Sequence, residues 1–581
     1  MSPELDLTPK TQLGFFFRAD NCIACHSCEA ACSEKNGNPP HIAWRHVGYL
    51  EGSRYAPGCG TSDFTRLNVS MACNHCVDPV CLKGCPTGAY VKYEKYGAVI
   101  QDPDICFGCQ YCTWVCPYNA PAYDPQKGSV SKCNMCVDRL DQGLKPACVD
   151  ACLGHALEFG EIGKRDVEEP GWVSQIPGFP DPSITKPNVR FERNKPLPQT
   201  MVRTDSVPLS YVTSGRTQSD MGWIPQAITS RAKVESAGLS LKALKTGEMS
   251  LAIFTLLAQM VIGAFWTGFG LHLWVGGDFP KPFGLALQWV FPFLVGCLGV
   301  GMGLSTAHLG KPWRCYRALN NLRYSWLSRE ILAVGCTFAG LLLFTGLFSG
   351  PAWLPPNLVV VPPAVLIGLG WAVGMMGLLA IFCMAKIYMV PARPYWNHFH
   401  TMVAFFTSAM NLGPLAVASG LLVVSALAGA PMSPELAVGV QAAIVVAWLA
   451  LVVQRLSELK RDRDLALRND EAAVSRELMT KVYGRWVNLR YGLSGIQLML
   501  LPFVIVIGMV PNSPVDLLAV LSLGALTVAI PKSLVGRIIF YLFVVPTSMP
   551  GAFFLRNPGL SSLVQNHAQP PPLLVGAVQT P

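Results

Sequence analysis

Sixteen cysteines within the first 152 residues, arranged in four groups of four, constrain this chain more than any other feature. The first and third groups have the spacing C-x2-C-x2-C-x3-C, the second C-x2-C-x4-C-x3-C and the fourth C-x2-C-x11-C-x3-C. Three thiolates on one tight loop can each bind a corner of an iron–sulfur cubane, while the fourth points toward a neighbouring cluster. The groups are Cys22, Cys25, Cys28, Cys32; Cys73, Cys76, Cys81, Cys85; Cys106, Cys109, Cys112, Cys116; and Cys133, Cys136, Cys148, Cys152.

These sixteen thiolates predict four [4Fe–4S] clusters, with the same cysteines as the iron ligands. Structural zinc would account for C-x2-C pairs but not for the repeated four-cysteine spacing. Disulfides are not expected, because Met1 to Lys10 shows no signal peptide. Cys59, the remaining cysteine of this region, is expected to be an ordinary buried or surface thiol.

The second and third groups are 20 residues apart and are arranged as in a two-cluster ferredoxin, which leaves the first and fourth groups to pair around them. If the last cysteine of each group binds the cluster of its paired group, four ligand sets are predicted. A row of four clusters suits electron conduction better than catalysis. The sets are set 1, Cys22, Cys25, Cys28, Cys152; set 2, Cys32, Cys133, Cys136, Cys148; set 3, Cys73, Cys76, Cys81, Cys116; and set 4, Cys85, Cys106, Cys109, Cys112.

The rest of the chain is unusually apolar. Hydrophobic residues make up 51% of the 581 residues and charged residues only 14%, which excludes a disordered chain and an ordinary soluble enzyme. Long apolar runs begin at Met249, each near the roughly 20 residues that a helix needs to cross a bilayer. Pro531, Lys532 and Arg537 interrupt the last run; we expect both cations to extend to the interface, and a terminal interfacial helix is an alternative course for this region. The eight expected spans are 249–272, 284–306, 330–348, 359–385, 401–427, 436–454, 491–510 and 515–534.

The sequence therefore predicts an α+β ferredoxin-like double module, in which each of two units holds two [4Fe–4S] clusters, followed by an all-α transmembrane bundle of eight helices. Residues 161–247 are rich in proline and charge and lack a regular hydrophobic period, so we expect an extended linker. The expected divisions are a cluster domain at 1–160, the linker at 161–247, a membrane anchor at 248–556 and a tail at 557–581.

The distribution of Lys and Arg predicts the orientation in the membrane. The loops on the side of residue 248, at 307–329, 386–400 and 455–490, carry sixteen, whereas the loops on the other side carry only Lys281. The positive-inside rule then places the cluster domain in the cytoplasm, on a bacterial or archaeal inner membrane. Two alternatives are that the cations bind an acidic partner, or that the domain is exported together with a signal-bearing partner.

Two ionisable residues at the ends of spans are candidates for a quinol site. His308 closes the second span and Glu330 opens the third, both on the side of the cluster domain. A quinol that loses two electrons must also lose two protons, and a His/Glu pair could accept them; a helix-capping histidine and a solvated glutamate are the alternative. We expect no haem, because His272, His398 and His400 offer no opposed pair within the spans.

The cysteine motifs resemble the four-cluster electron-transfer subunit of the dimethyl sulfoxide reductase type, within the complex iron–sulfur molybdoenzymes. The runs from Cys73, Cys106, Lys132 and Ile184 carry this resemblance, CNHCVDPVCLKGCPTGAY, CFGCQYCTWVCPYNAPAY, KCNMCVDRLDQGLKPACVDAC and ITKPNVRF. Related nitrate-reductase subunits have Trp at the position of Cys109 and a three-iron cluster, so Cys109 favours four cubanes. Cys32 and Cys152 depart from the pattern in lacking a following proline.

The second half resembles the membrane anchor of the same reductases, which implies that the two subunits are fused in this chain. The matching runs begin at His308, Lys386 and Leu534, HLGKPWRCYRALNNLRYSWLSREI, KIYMVPARPYWNHFHTMVAFFTSAMNLGPL and LVGRIIFYLF. The resemblance implies that His308, Glu330 and Gly310 form the quinol site, with menaquinol as the expected quinol. It also implies a separate molybdopterin catalytic subunit, since no molybdopterin domain is encoded in this chain.

We expect an electron-transfer and anchor chain that oxidises quinol in anaerobic respiration, passes electrons through four [4Fe–4S] clusters and does not reduce the terminal substrate alone. Within the same class, the alternatives are a polysulfide or nitrite reductase-type complex, or a sulfite-oxidising complex that runs in reverse to reduce quinone. A different class is an ion transporter with an attached redox sensor. That function requires ionisable residues in mid-membrane, and the apolar runs offer mainly neutral Gln259, Gln288 and Asn411.

Overall fold

The computed structural model describes most of the cluster domain and most of the membrane region. The described residues are 12–54, 63–163, 171–176, 180–192, 202–203, 248–276, 281–349, 362–467, 475–476, 479–480, 483–510 and 513–544. Cys59, most of the expected linker and the tail at 557–581 lie outside these ranges.

The N-terminal domain is built on a small three-stranded sheet. Its central strand is β1, which pairs antiparallel with β8 and parallel with β9. Phe15, Phe16 and Phe17 of β1 are all buried, as expected for a strand covered on both faces. The strands of the domain are β1 Leu13–Arg18, β2 His46–Arg54, β3 Asp63–Met71, β4 Tyr90–Tyr93, β5 Ala98–Gln101, β6 Ala122–Asp124, β7 Ser129–Ser131, β8 Leu157–Glu161, β9 Val189–Glu192 and β10 Val202–Arg203.

The remaining strands form hairpins that flank the cysteine loops. Strands β4 and β5 pair antiparallel, as do β6 and β7, while β2 lies between β3 and β10. Five short helices lie between these strands, and the cysteines lie on them or in the loops that flank them. The helices are α1 Ser27–Asn36, α2 Val80–Gly84, α3 Tyr111–Val115, α4 Val137–Leu140 and α5 Ala147–Asp150. The expected α+β fold of this region is confirmed.

The folded N-terminal domain continues beyond residue 160, which departs from the expected boundary. Strand β9 pairs with β1 over four residues, from Phe15 with Val189 to Arg18 with Glu192. Phe191 is fully buried in this sheet, and Thr185 and Asn188 just before it are also buried. The proline-rich composition of 161–247 concealed this strand, because four residues are too few to produce a recognisable hydrophobic period.

The membrane region contains eight helices long and apolar enough to span a bilayer among the described residues, and the expected number is confirmed. The seventh ends at Gly508 and the eighth begins at Val515, and the eighth is one continuous helix that includes Pro531. An interruption at Pro531 was therefore the wrong expectation, since neighbouring helices can compensate for a missing backbone donor. The helices are α6 Met249–Val275, α7 Lys281–Ala307, α8 Trp326–Ser349, α9 Pro363–Tyr388, α10 Phe399–Ala428, α11 Pro434–Ala466, α12 Gly484–Gly508 and α13 Val515–Leu542.

Helix α10 occupies the middle of the bundle and packs closely against α6. A Cβ atom added to Gly263 would lie 2.0 Å from the backbone oxygen of Ala409, and one added to Gly413 would lie 2.2 Å from the backbone nitrogen of Ala264. Small residues at such crossings let two helix backbones approach each other. The two glycines therefore determine the spacing between α6 and α10.

Lys532 and Arg537 do not extend to the interface; both are buried inside the bundle. The Lys532 amine donates hydrogen bonds to Asn411 Oδ1 at 3.2 Å and Gln497 Oε1 at 3.0 Å. Arg537 donates to Gln259 Oε1 at 2.8 Å. The expectation that ionisable residues are nearly absent from the spans was therefore wrong, because neutral amides on facing helices compensate for the buried cations.

Candidate functional site

The four thiols of set 3 surround one cavity in the N-terminal domain. Cys73, Cys76, Cys81 and Cys116 line an empty volume of about 350 Å³, together with the side chain of Lys132. All four cysteines are buried. Burial raises the pKa of Cys81 and Cys116, so unligated neutral thiols are the favoured form of these residues without a metal.

The other thiols are also grouped by proximity across the domain. Burial raises the pKa of Cys112, and neighbouring thiolates, of which Cys109 has the largest effect, raise it further. The same pattern of burial followed by neighbouring cysteines holds for thiols of the outer two groups. These electrostatic neighbours are Cys22 with Cys28, Cys152 and Cys25; Cys32 with Cys148 and Cys136; Cys133 with Cys32, Cys73 and Cys148; and Cys112 with Cys109, Cys85 and Cys106.

The spacing of these thiols fits cubanes better than single metal ions. Among the described residues, no three His, Cys, Asp or Glu side chains converge closely enough to bind one ion. In a cubane each thiolate binds a different iron atom, so its ligands stand further apart than those of tetrahedral zinc. The residues present in the four sets therefore fit [4Fe–4S] clusters.

The loops between the cysteines have the left-handed backbone that wrapping a cluster requires. Ala24, His26, Gln110 and Met135 have φ angles of 54°, 60°, 62° and 63°. Such turns direct backbone amides inward. Amides donate hydrogen bonds to cysteine sulfur, and contacts of this kind help to set a cluster's potential. The amide-to-sulfur distances are 3.4 Å from Gly108 to Cys106, 3.4 Å from Met135 to Cys133, 3.4 Å from Ala89 to Cys85 and 3.3 Å from Leu157 to Cys152.

Two buried cations that the sequence analysis missed lie between ligand sets. Arg45 interacts electrostatically with thiols of sets 1 and 2, among them Cys28 and Cys148. Lys132 interacts with Cys73 and other thiols of sets 2 and 3. A buried cation is costly unless negative charge compensates for it, and ligated clusters supply that charge. Lys132, next to Cys133, was visible in the sequence, but nothing there placed Arg45 near a cysteine.

The N-terminal domain docks on the membrane region through the loop between α7 and α8. The backbone nitrogen of Lys311 donates to Phe107 O at 3.0 Å. Asn321 Nδ2 donates to Cys85 O at 2.8 Å, and Ser325 Oγ donates to Gly84 O at 2.8 Å. These bonds hold the polypeptide that carries set 4 directly against the anchor.

A second set of contacts joins α3 to the loop between α9 and α10. Arg393 donates from Nε to Trp114 O at 3.0 Å and from Nη2 to Thr113 O at 2.8 Å. The Tyr111 hydroxyl donates to Ile387 O at 3.0 Å. Because Cys112 lies on this helix, the same contacts fix set 4 relative to the membrane helices.

Gly310 lies at the centre of the docking surface. A Cβ atom added there would be 2.3 Å from the backbone oxygen of Gly128, and one added to Gly108 would be 3.0 Å from Gly310 Cα. No side chain fits between these three backbones. The structure thus gives Gly310 a reason to be glycine in the close approach of the two domains.

A cavity of about 880 Å³ of empty space lies beneath the docked domain. Its lining includes His308, Glu330, Tyr388 and Cys109, so one space touches both predicted proton acceptors and a cysteine of set 4. The remaining lining is largely apolar, as is common for pockets that take small organic molecules. Sequence analysis identified His308 and Glu330 but did not single out Tyr388, which lies within the run from Lys386 that resembles the anchor subunit.

The two acid–base candidates differ in their surroundings. Glu330, the fifth residue of α8, is only 6% exposed. His308 lies just beyond the end of α7, where Nδ1 bonds to the backbone oxygen of Ser305. Burial lowers the pKa of His308, which favours the neutral ring. With Nδ1 engaged, Nε2 of this neutral ring is available to accept a proton.

Comparison with known families gives two separate matches. Residues 65–162 match a 4Fe-4S dicluster domain, and residues 244–543 match the DMSO reductase anchor subunit, DmsC. The first part of the sequence is 40% identical over 187 residues to a component of the anaerobic dimethyl sulfoxide reductase of Haemophilus influenzae, which covers 32% of this chain and 90% of that protein. Identity to the corresponding component from Escherichia coli is 38% over 186 residues, with the same coverage.

Proteins named for other substrates are also similar. A component of the sulfite dehydrogenase of Allochromatium vinosum is 30% identical over 245 residues, which cover 37% of this chain and all of that protein. The family models and the dimethyl sulfoxide reductase relatives together account for both halves of the sequence. The chain therefore belongs to the DMSO reductase anchor-subunit family and carries, fused ahead of that multi-pass anchor, the iron–sulfur electron-transfer subunit of the same reductases.

Proposed function

We propose that this chain oxidises quinol in the cavity beneath the docked domain and passes the electrons through four [4Fe–4S] clusters to a separate molybdopterin subunit. The observation that carries the proposal is the shared lining of that cavity, where His308 and Glu330 face the same space as Cys109 of set 4. A ring bound there is therefore adjacent both to proton acceptors and to a cluster.

Each residue has a defined part in the oxidation. Glu330 and His308 accept hydrogen bonds from the two ring hydroxyls and take up their protons as electrons leave. Apolar residues such as Phe254 and Met302 exclude water from the ring. Menaquinol is the quinol that we propose for the cavity.

The order of the clusters follows from the residues that lie between their ligands. Helix α2 carries Cys81 of set 3 and positions Cys85 of set 4 one turn later. Lys132 lies between sets 3 and 2, and Arg45 between sets 2 and 1. We propose that electrons travel from set 4 through sets 3 and 2 to set 1.

Set 1 is the proposed point of electron exit to the catalytic subunit. Cys25 is exposed, and the apolar side chains of Ile23 and Leu153 beside this set are 69% and 71% exposed. Exposed apolar residues around a redox centre suit a protein partner. On the positive-inside rule we propose that this face lies in the cytoplasm; export of the domain with its partner is the alternative.

The test is reduction of the clusters by quinol in the purified complex. We expect His308→Ala and Glu330→Gln to abolish it, while dithionite still reduces all four centres. The matched control is Glu435→Gln, an exposed acid at the start of α11 on the opposite side of the bundle. Unchanged quinol kinetics in both variants would rule out the assignment.

A second candidate is the reverse direction, supported by similarity to a component of a sulfite dehydrogenase. In that case quinone binds in the same cavity and His308 and Glu330 deliver protons instead of accepting them. Whether the native complex supports quinone reduction by sulfite or substrate reduction by quinol distinguishes the two directions.

A further inference from the structure

Two buried tyrosines connect the cavity with the first membrane helix. Tyr388, the last residue of α9, lines the cavity, and its hydroxyl is 2.6 Å from that of Tyr541 on α13. Both side chains are buried. The two hydroxyls share a hydrogen bond in which either can donate. Such a pair can pass a proton, because each oxygen can accept one proton while its own moves on.

A carboxylate stands at the far end of this pair. Tyr541 interacts electrostatically with Glu330 and with Glu248, the residue that precedes α6. Leu251 and Thr255, one and two turns into α6, belong to the cavity lining. Glu248 thus lies beside the cavity, at the membrane face on which the cluster domain docks.

We propose that protons taken from quinol by Glu330 leave through the Tyr388–Tyr541 pair to Glu248, which releases them to water on the docking side. This inference rests on the proposed quinol oxidation. The overall step is balanced, since both O–H bonds of the quinol break, its two electrons pass one at a time to the cluster of set 4, and two protons leave through acid–base groups.

The charged residues around Tyr388 and Tyr541 suit a proton relay. Arg537 lies over the rings of Phe405 and Phe540 and interacts electrostatically with both tyrosines. A fixed cation beside the pair stabilises transient negative charge on a phenolic oxygen. Glu330 on α8 and Glu248 before α6 are the acidic groups that act on Tyr541 from the packed elements.

The acid–base behaviour of Glu248 suits the last step. Burial raises the pKa of Glu248 to about 7. Below that pH the carboxyl group is protonated and cannot accept another proton; above it, the carboxylate can. The rate of quinol oxidation should therefore rise as pH increases through about 7.

The experiment compares Glu248→Gln and Tyr541→Phe with the unaltered chain in the purified complex. Three quantities are measured: binding of a non-oxidisable quinone analogue, the rate of cluster reduction by menaquinol from pH 5.5 to 8.5, and the solvent deuterium isotope effect. We expect unchanged analogue binding, a rate at least about 100-fold lower, loss of the rise near pH 7 in Glu248→Gln, and a larger isotope effect. Glu435→Gln and Tyr316→Phe, both at exposed positions, are the controls.

Different results separate this inference from the proposed function. Normal rates and pH profiles in Glu248→Gln and Tyr541→Phe, with Glu330→Gln inactive, would overturn the relay alone. Full activity in Glu330→Gln and His308→Ala would remove the quinol site itself. If Glu248→Gln does not assemble, Glu248→Asp replaces it; we expect a shifted pH profile there, and an unshifted profile would contradict the relay.

Discussion

Gly310 shows how a residue can matter to a site without touching its ligand. The resemblance to the anchor family places the corresponding glycine in the quinol site, whereas the structure packs Gly310 against Gly128 of the cluster domain. A methyl group there would lie 2.3 Å from a backbone oxygen, closer than carbon and oxygen can approach. One of the two backbones would have to move.

We therefore expect Gly310→Ala to weaken docking of the cluster domain and to slow quinol-dependent cluster reduction by about tenfold or more, because misplacement by about 1 Å can cost up to 100-fold. Proteolysis of the junction should become faster, while reduction by dithionite should be unchanged. Gly303→Ala in α7 is the control, since nothing lies within 4 Å of the added Cβ atom. Equal docking and equal rates in the two variants would contradict this role.

At the scale of helices, the buried amine of Lys532 links α10, α12 and α13 through Asn411 and Gln497. Asn411→Leu removes one of the two hydrogen-bond acceptors, so the buried positive charge of Lys532 is less well stabilised. We expect this change to destabilise the anchor by about 1–3 kcal/mol, and Asn411→Leu/Lys532→Met to recover much of the loss because no unpaired cation remains.

Thermal unfolding of the detergent-solubilised complex measures this effect, with Thr527→Val on the exposed face of α13 as the control. The informative quantity is the difference between the single and double variants. A double variant less stable than Asn411→Leu alone would show that Lys532 stabilises the bundle by packing and not through its charge.

The helices also show which features of the fold the sequence could predict. The number of spans followed from apolar length, and most ends were placed within a few residues. Helix α11 runs on to Ala466, and Glu458 in this extension pairs with Arg490 on α12, a contact between distant residues that no local pattern reports. Strand β9 was missed for the same reason, since its pairing with β1 is remote in sequence.

In the whole molecule, cysteine spacing predicted sixteen candidate ligands, and the structure places thiols of the paired groups near one another, while the four ligand sets stay a prediction. Only some of the residues that line the cavity could be predicted from the sequence. His308 and Glu330 were identified from charge at helix ends, but Tyr388 and the proximity of Cys109 depend on how one domain docks on the other. Docking depends on the fit between two folded surfaces, which the hydrophobic pattern along the sequence does not describe.

In the proposed series electrons enter at set 4, beside the cavity, and removing an inner member should interrupt their transfer to the outer clusters. Cys76→Ser is expected to remove the cluster of set 3, since a buried hydroxyl is a poor replacement for a thiolate ligand. Quinol should then reduce set 4 alone, leaving sets 2 and 1 oxidised, although dithionite reduces all three remaining clusters. Electron paramagnetic resonance of the quinol-treated complex counts the reduced centres.

Cys25→Ser, at the exposed end of the series, is the matched control. It should leave sets 4, 3 and 2 reducible by quinol and stop only the transfer to the catalytic subunit, since loss of the last member does not isolate the others. Rapid reduction of set 1 or set 2 by quinol in Cys76→Ser would mean that electrons reach the outer clusters without crossing set 3. The proposed order of the clusters would then be wrong.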